Sequence, residues 1–246
     1  MKTLNVLIPM AGRGERFSSV GYDVPKPLID IKGKPMIEWA VESLGFSSES
    51  THYIFIVRKY EQSSFNERLN VVLDGITKNK TVYSVDYITE GPCSTCLLAE
   101  RSINNDSPLV ICNCDQVMKW NGEYFISSCL NSPYDGVVVT YEESTPKNSY
   151  AKISSNGDVV RIEEKNVISN VSLNGIHFWK QGSYFVESAH TMIHDNERYN
   201  NEFYVGPTYN KMIASGKRVG IFHIPKQCHN PVGVPSDVGL FLEKAQ

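Results

Sequence analysis

Residues Leu4 to Met10 form an apolar run that ends in Ala11-Gly12-Arg13-Gly14-Glu15-Arg16-Phe17, with Pro25-Lys26-Pro27 close behind. A run of this kind predicts a buried strand, and a buried strand that empties into a glycine-bearing turn is the start of an α/β arrangement. The same apolar, β-branched signal returns at Tyr53–Val57, Val82–Ile88, Leu109–Cys112 and Val137–Tyr141. Helical periodicity separates most of these at Met36–Leu44, Ser63–Leu73, Thr95–Ile103 and Tyr124–Cys129. The alternation is a βαβ series, so the first half is expected to be a mainly parallel sheet flanked by helices on both faces. From about Tyr150 the pattern changes to short hairpin strands, Ala151–Ile153 and Val159–Ile162, around the turn Ser155-Asn156-Gly157-Asp158. The second half is therefore expected to be more antiparallel.

The chain has 246 residues, 41% of them apolar, enough for a core covered on both sides of a sheet. No repeat, low-complexity tract or flexible linker interrupts it, so residues 1–246 are expected to form one unit with a cleft between two halves. A net charge of −3 and a pI near 6.1 argue against nucleic acid or an anionic membrane as the main partner. The first apolar run is too short for a signal h-region or a spanning helix, so the protein is expected in the cytosol with its six cysteines reduced.

Chemistry concentrates in the first turn. Gly12 and Gly14 can take φ > 0 and let phosphate oxygens approach the main chain, while Arg13, Arg16 and Lys26 supply the charge a polyphosphate needs. The plainer alternative is a strand-to-helix turn with solvated basic residues. A Walker A loop needs a Gly-Lys-Ser/Thr ending, which is missing, and the dinucleotide fingerprint would need glycine where Phe17 stands. A second signal is Asp115, after Leu109-Val110-Ile111-Cys112-Asn113-Cys114. It lies at the carboxyl end of a buried strand, where open α/β sheets place ligands and where a carboxylate can hold Mg²⁺ against phosphate oxygens. Aspartate capping an ordinary turn is the competing reading.

Together these segments resemble the nucleotidyltransferase family that activates sugar phosphates, the pyrophosphorylase group with a GT-A-like (Rossmann-like) fold. Its Gly-x-Gly-x-Arg loop and Pro-Lys-Pro match Gly12 to Arg16 and Pro25 to Pro27. Its base-contacting turn looks like Glu90-Gly91-Pro92-Cys93-Ser94-Thr95, and its metal-bearing strand like Asn113-Cys114-Asp115. Glu163-Glu164-Lys165-Asn166, Asn174-Gly175-Ile176 and Gly233-Val234-Pro235-Ser236-Asp237 match later motifs in order. The resemblance implies a nucleotide-binding half over about 1–116 and an acceptor-binding half over about 117–246. Met10, Ala11, Gly12, Arg13, Gly14, Glu90, Gly91, Pro92 and Ser94 would bind the nucleotide. Arg16, Lys26 and Lys165 would be catalytic, Mg²⁺ would sit on Asp115, and Glu164, Asn174, Glu202 and Tyr204 would bind the acceptor. The implied reaction is in-line attack of an acceptor phosphate on the α-phosphorus of a nucleoside triphosphate, with pyrophosphate leaving and no covalent enzyme.

Three departures carry information. Glu15 stands where the family has Ser or Thr, and an acid there is costly unless it faces a basic side chain or the metal. Asn166 replaces a proline. The aspartate that completes the family's metal site falls on Pro231, leaving Asn230 or Asp237 as substitutes. The stretch Glu202 to Asn210 resembles a capsule-associated subgroup, including the cytidylyltransferase that acts on phosphoglutamine, which implies CTP. Sugar-1-phosphate transfer from UTP, dTTP or GTP is the alternative, and a nucleotide-binding regulator without turnover is a further one. Cys93-x-x-Cys96 with Cys112-x-Cys114 also admits a zinc site or a redox turn, though buried reduced thiols fit the spacing better. Lys165 alone, read without the resemblance, is a solvated partner of Glu163 or Glu164.

Overall fold

The computed structural model describes residues 2–244. Nine strands form the main sheet: β1 (Leu4–Met10), β2 (Thr51–Arg58), β3 (Lys80–Val85), β4 (Leu109–Ile111), β5 (Gly136–Glu142), β6 (Ser149–Ile153), β7 (Val159–Glu164), β8 (Val171–Trp179) and β9 (Val219–His223). The path runs β7-β6-β8-β4-β1-β2-β3, and β5 pairs with both β8 and β9. β1 lies between β4 and β2, parallel to both, with Val6 opposite Val110 and Tyr53.

The central strand is apolar apart from the buried Asn5, because both of its faces are covered. Alternate residues point to opposite faces of a strand. Leu7, Ile54, Ile56 and Ile111 accordingly face one core, which α3 (Pro92–Leu97), α5 (Gly182–His194) and α6 (Thr208–Ala214) cover. Val6, Ile8, Phe55 and Val110 face the other, under α1 (Met36–Leu44), α2 (Ser63–Ile76) and α4 (Gly122–Asn131). A third cluster joins Phe17, Ile29, Met36, Val117, Val232 and Phe241, tying the glycine turn to α7 (Pro235–Lys244). That cluster holds together the elements whose polar residues make the site.

The α/β class and the mainly parallel first half are as expected. β5 departs from the series: it runs antiparallel to β8 and parallel only to β9. β3 ends at Val85, not Ile88, because the chain turns outward and leaves Tyr87 and Ile88 half exposed. The helix expected over Thr95–Ile103 is broken into α3 and a single turn, Glu100–Ile103, by Ala99 at φ −96° and ψ 14°. The hairpin β6–β7 forms around Gly157, as its turn residues require. β8 carries a bulge: its step from Leu173 to His177 faces only Thr140 to Val138 on β5.

Candidate active site

A cavity of about 770 Å³ opens beyond the carboxyl end of β1. One wall is the turn from Met10 to Phe17 with Lys26, another is Tyr87 to Pro92, and Glu202, Tyr204 and Gly233 close it. Gly14 takes φ 68°, and a Cβ there would lie 3.2 Å from that of Lys26, so the turn packs directly on the lysine. Gly12 stays outside the left-handed region, but its Cα faces open space that leaves the main chain approachable. Arg13 pairs with Glu15 at 3.3 Å, both well exposed, so Glu15 faces a basic side chain. Arg16 is exposed on the single turn Glu15–Ser18, which Phe17 anchors in the core.

Lys26 is ion-paired with Asp115, both side chains about one-fifth exposed. Burial works against the charge on Lys26, but the Asp115 carboxylate outweighs it, and the lysine pKa is raised. Asp115 is fixed by its backbone, whose carbonyl accepts from Val232 N–H at 2.8 Å, while Gly233 lies against the carboxylate. Asp237 lies in the first turn of α7; burial raises its pKa and the Asp115 charge adds to the shift, against the pull of Lys147 and Arg16. Asn230 is buried, and both Asn230 and Asp237 line a separate cavity of about 550 Å³. Among the described residues no group of three or more His, Cys, Asp or Glu side chains is placed to hold a metal. Asp115 and Asp237 carry the oxygen donors that Mg²⁺ takes, typically one or two carboxylates with water and substrate phosphates, but Asp237 opens to the second cavity. Asn230, directed to Gln227 O at 3.5 Å, is less suited to the ion than Asp237.

The Glu90-Gly91-Pro92 turn is stitched to the opposite wall. Phe203 N–H donates to Glu90 O at 2.7 Å, and Cys93 N–H donates to Phe203 O at 2.9 Å. Gly91 takes φ 116°, and a Cβ there would sit 2.6 Å from Phe203 N, so only glycine fits. Glu90 points away from the cavity to Arg198, at 3.2 Å, whose guanidinium stacks on Phe203. Ser94 does not line the cavity either; Thr89 and Thr95, hydroxyl to hydroxyl at 2.5 Å, do so in its place. Thr95 closes the turn that the resemblance singles out, although Ser94 was the residue expected to bind there; Thr89 lies outside that motif, and nothing in the sequence pointed to it.

On the acceptor side, Lys165 takes φ 51° at the end of β7 and donates to Tyr204 Oη at 2.9 Å. Tyr204 donates in turn to Glu202 Oε2 at 2.7 Å. Glu164 is buried and accepts from Ser149 Oγ; burial raises its pKa. Asn174 is not brought to this group. It is buried in the β8 bulge, where its Oδ1 accepts from Ile176 N–H at 2.9 Å and its carbonyl accepts from Gln116 Nε2. Its side chain is spent on the bulge. Cys93, Cys96, Cys112 and Cys114 are buried free thiols, and burial pushes Cys93 and Cys114 up to about 12.

A model of the nucleotidyl transferase family matches residues 5–227, and the chain belongs to that family. It is 28% identical to the choline-phosphate cytidylyltransferase of Haemophilus influenzae over 177 residues, 72% of this chain and 69% of that one. It is 37% identical over 67 residues to a probable mannose-1-phosphate guanyltransferase of Schizosaccharomyces pombe, a match that takes in 27% of this chain and only 16% of the relative's length. The structure of a nucleoside-diphosphate-sugar pyrophosphorylase from Vibrio cholerae RC9 superposes with a TM-score of 0.83 at 24% identity, covering 97% of this chain and 99% of the other. No helix among the described residues is long and apolar enough to cross a membrane.

Proposed function

We propose that this nucleotidyltransferase moves CMP from CTP to a phosphorylated small-molecule acceptor in the cytosol and releases pyrophosphate, for capsule or surface polysaccharide, with phosphoglutamine as a candidate acceptor. The observation that carries the reading is the convergence on one cavity of the Gly12–Arg16 turn and Lys26, itself ion-paired with Asp115, from the first half with Glu202 and Tyr204 from the second. The similarity to a cytidylyltransferase over most of the chain favours CTP.

In this reading an acceptor phosphate oxygen attacks the α-phosphorus and the bond to the bridging oxygen of the β-phosphate breaks in line. A phosphomonoester is largely dianionic at neutral pH, so no side chain has to remove a proton. The protein supplies alignment and charge: Arg16 and Lys26 on the departing phosphates, Lys165 on the acceptor phosphate, and the main chain of the two glycine turns around the base and ribose. Asp115, with Asp237, would hold Mg²⁺, which when bound would neutralise phosphate charge. Pyrophosphate release measured for CTP, UTP, dTTP and GTP against phosphorylated sugars, polyols and amino-acid derivatives tests the reading. Release with CTP is expected; release only with another triphosphate and a sugar-1-phosphate would transfer the assignment to that class, and none with any pair would leave a nucleotide-binding regulator.

A further inference from the structure

The group around Lys165 is more than a phosphate contact. Its ammonium lies 4.9 Å from the ring centroid of Tyr204 and 5.3 Å from that of Tyr199, and the two rings meet edge to face at 75°. The same ammonium donates to Tyr204 Oη, which hands its own proton on to Glu202. Two aromatic faces, an oxygen acceptor and a carboxylate behind it are what an N–H-bearing ammonium needs. The seat is built firmly. Tyr199 and Glu202 exchange backbone hydrogen bonds at 3.0 Å across Asn200 and Asn201, both at positive φ. Arg198 pins the start of this turn to Glu90.

The charge around the seat is lopsided. Glu202 has no ion pair with any Lys, Arg or His among the described residues, and its charge is one of the influences that oppose ionisation of Glu164. Glu202 and Tyr204 both line the cavity. If Lys165 moves onto the acceptor's phosphate, two tyrosine faces and an uncompensated carboxylate remain beside the acceptor.

We infer that Tyr199, Glu202 and Tyr204 form a subsite for a positively charged N–H-bearing nitrogen, and that the acceptor is a phosphorylated small molecule carrying such an ammonium group. In the free protein Lys165 holds the place. The inference rests on the acceptor reading of this wall and narrows it, because a quaternary ammonium has no N–H for Tyr204 Oη.

Calorimetric binding of three probes to the wild type and E202Q tests the acceptor class: phosphoethanolamine, its uncharged match propyl phosphate, and phosphocholine. Phosphoethanolamine should bind roughly tenfold or more tighter than propyl phosphate, with phosphocholine between them, and E202Q should bring the first two within about threefold. Equal binding of the first two to the wild type, phosphocholine tightest, or a ratio that survives E202Q would overturn the inference. K165M tests the seat without any phosphate: methylammonium should bind to this variant at millimolar concentration and not to the wild type. Failure of all three phosphates with methylammonium still bound would remove the acceptor role of Lys165 and keep the ammonium seat. Absence of methylammonium binding to folded K165M would remove the seat itself.

Discussion

Lys26 and Asp115 were expected to meet phosphate and metal separately, yet in the free protein they meet each other. Each satisfies a partner that would otherwise be half-buried and uncompensated, so the site is charge-balanced before any ligand arrives. Asp115→Asn keeps side-chain size and removes the charge; turnover at saturating Mg²⁺ should fall by about a hundredfold or more, and the melting temperature should fall as well because Lys26 loses its counter-charge. A rate within a few-fold of wild type would remove Asp115 from the reaction. Gly233 offers a subtler probe, since a Cβ there would lie 2.7 Å from Asp115 Oδ2. Gly233→Ala should therefore swing the carboxylate away and slow turnover with the fold intact, seen as a lost rate at unchanged far-UV dichroism. Asp115 and Lys26 were legible in the sequence because a carboxylate at a strand's end and a lysine between prolines are scarce and chemically specific. Thr89 was not, since a threonine hydroxyl outside any motif carries no signal, and within the Glu90–Thr95 turn the expected contact fell on Ser94 instead of Thr95. Asn174 is turned inward by a two-residue bulge that periodicity does not show, and its Oδ1 accepts from Ile176 N–H.

Whole elements explain how the two walls keep their distance. The Glu90–Pro92 turn and the chain at Phe203 are hydrogen-bonded to each other, and a Cβ at Gly91 would collide with the Phe203 backbone. Gly91→Ala brings both a disfavoured φ and a collision with Phe203 N and O, a cost of about 1–3 kcal/mol or more. The expected result is a lowered melting temperature together with weaker triphosphate binding, measured by calorimetry on folded protein; unchanged binding would mean that this turn does not shape the nucleotide pocket. Strand and helix identities in this region were readable from apolar period, and their ends were not. Tyr87 and Ile88 look like a continuing strand because they are apolar, but they face the cavity instead of a partner strand. Thr95 to Ile103 keeps a helical period across Ala99, where a single residue off the α conformation divides it.

At the scale of the molecule, β8 is the seam: it pairs with β4 of the first half and with β5 and β6 of the second, so the sheet runs unbroken under the cavity. His177 sits at that seam. Its ring stacks on Trp179 and Tyr209, with centroids 5.9 Å and 5.8 Å away, and its Nδ1 is buried with no hydrogen-bond partner among the described residues. Burial lowers its pKa to about 3, and burial lowers that of His229 to about 4 despite the opposing charge of Asp115. An unfolded chain takes up these protons near the ordinary value of 6.5, whereas the folded chain refuses them until much lower pH. The resulting stability is complete above pH 6.5 and is lost as pH falls, towards about 3 for His177 and about 4 for His229. Each histidine contributes a slope of up to about 1.4 kcal/mol per pH unit within its window. Glu164, with its pKa raised by burial, has the opposite slope and contributes less stability as pH rises through its range. Asp237, also raised by burial, opposes in the same sense as Glu164, but the two histidines begin to titrate at the higher reference value of 6.5 against 4.5 and 3.8 for the two acids, so stability should drop between pH 6.5 and 5. His177→Phe keeps a ring in the stack and deletes the titration, so denaturant unfolding at pH 7, 6 and 5 should show a shallower loss for the variant than for the wild type. Parallel losses in the two proteins would mean that His177 takes up its proton in the folded sheet at the same pH as in the unfolded chain.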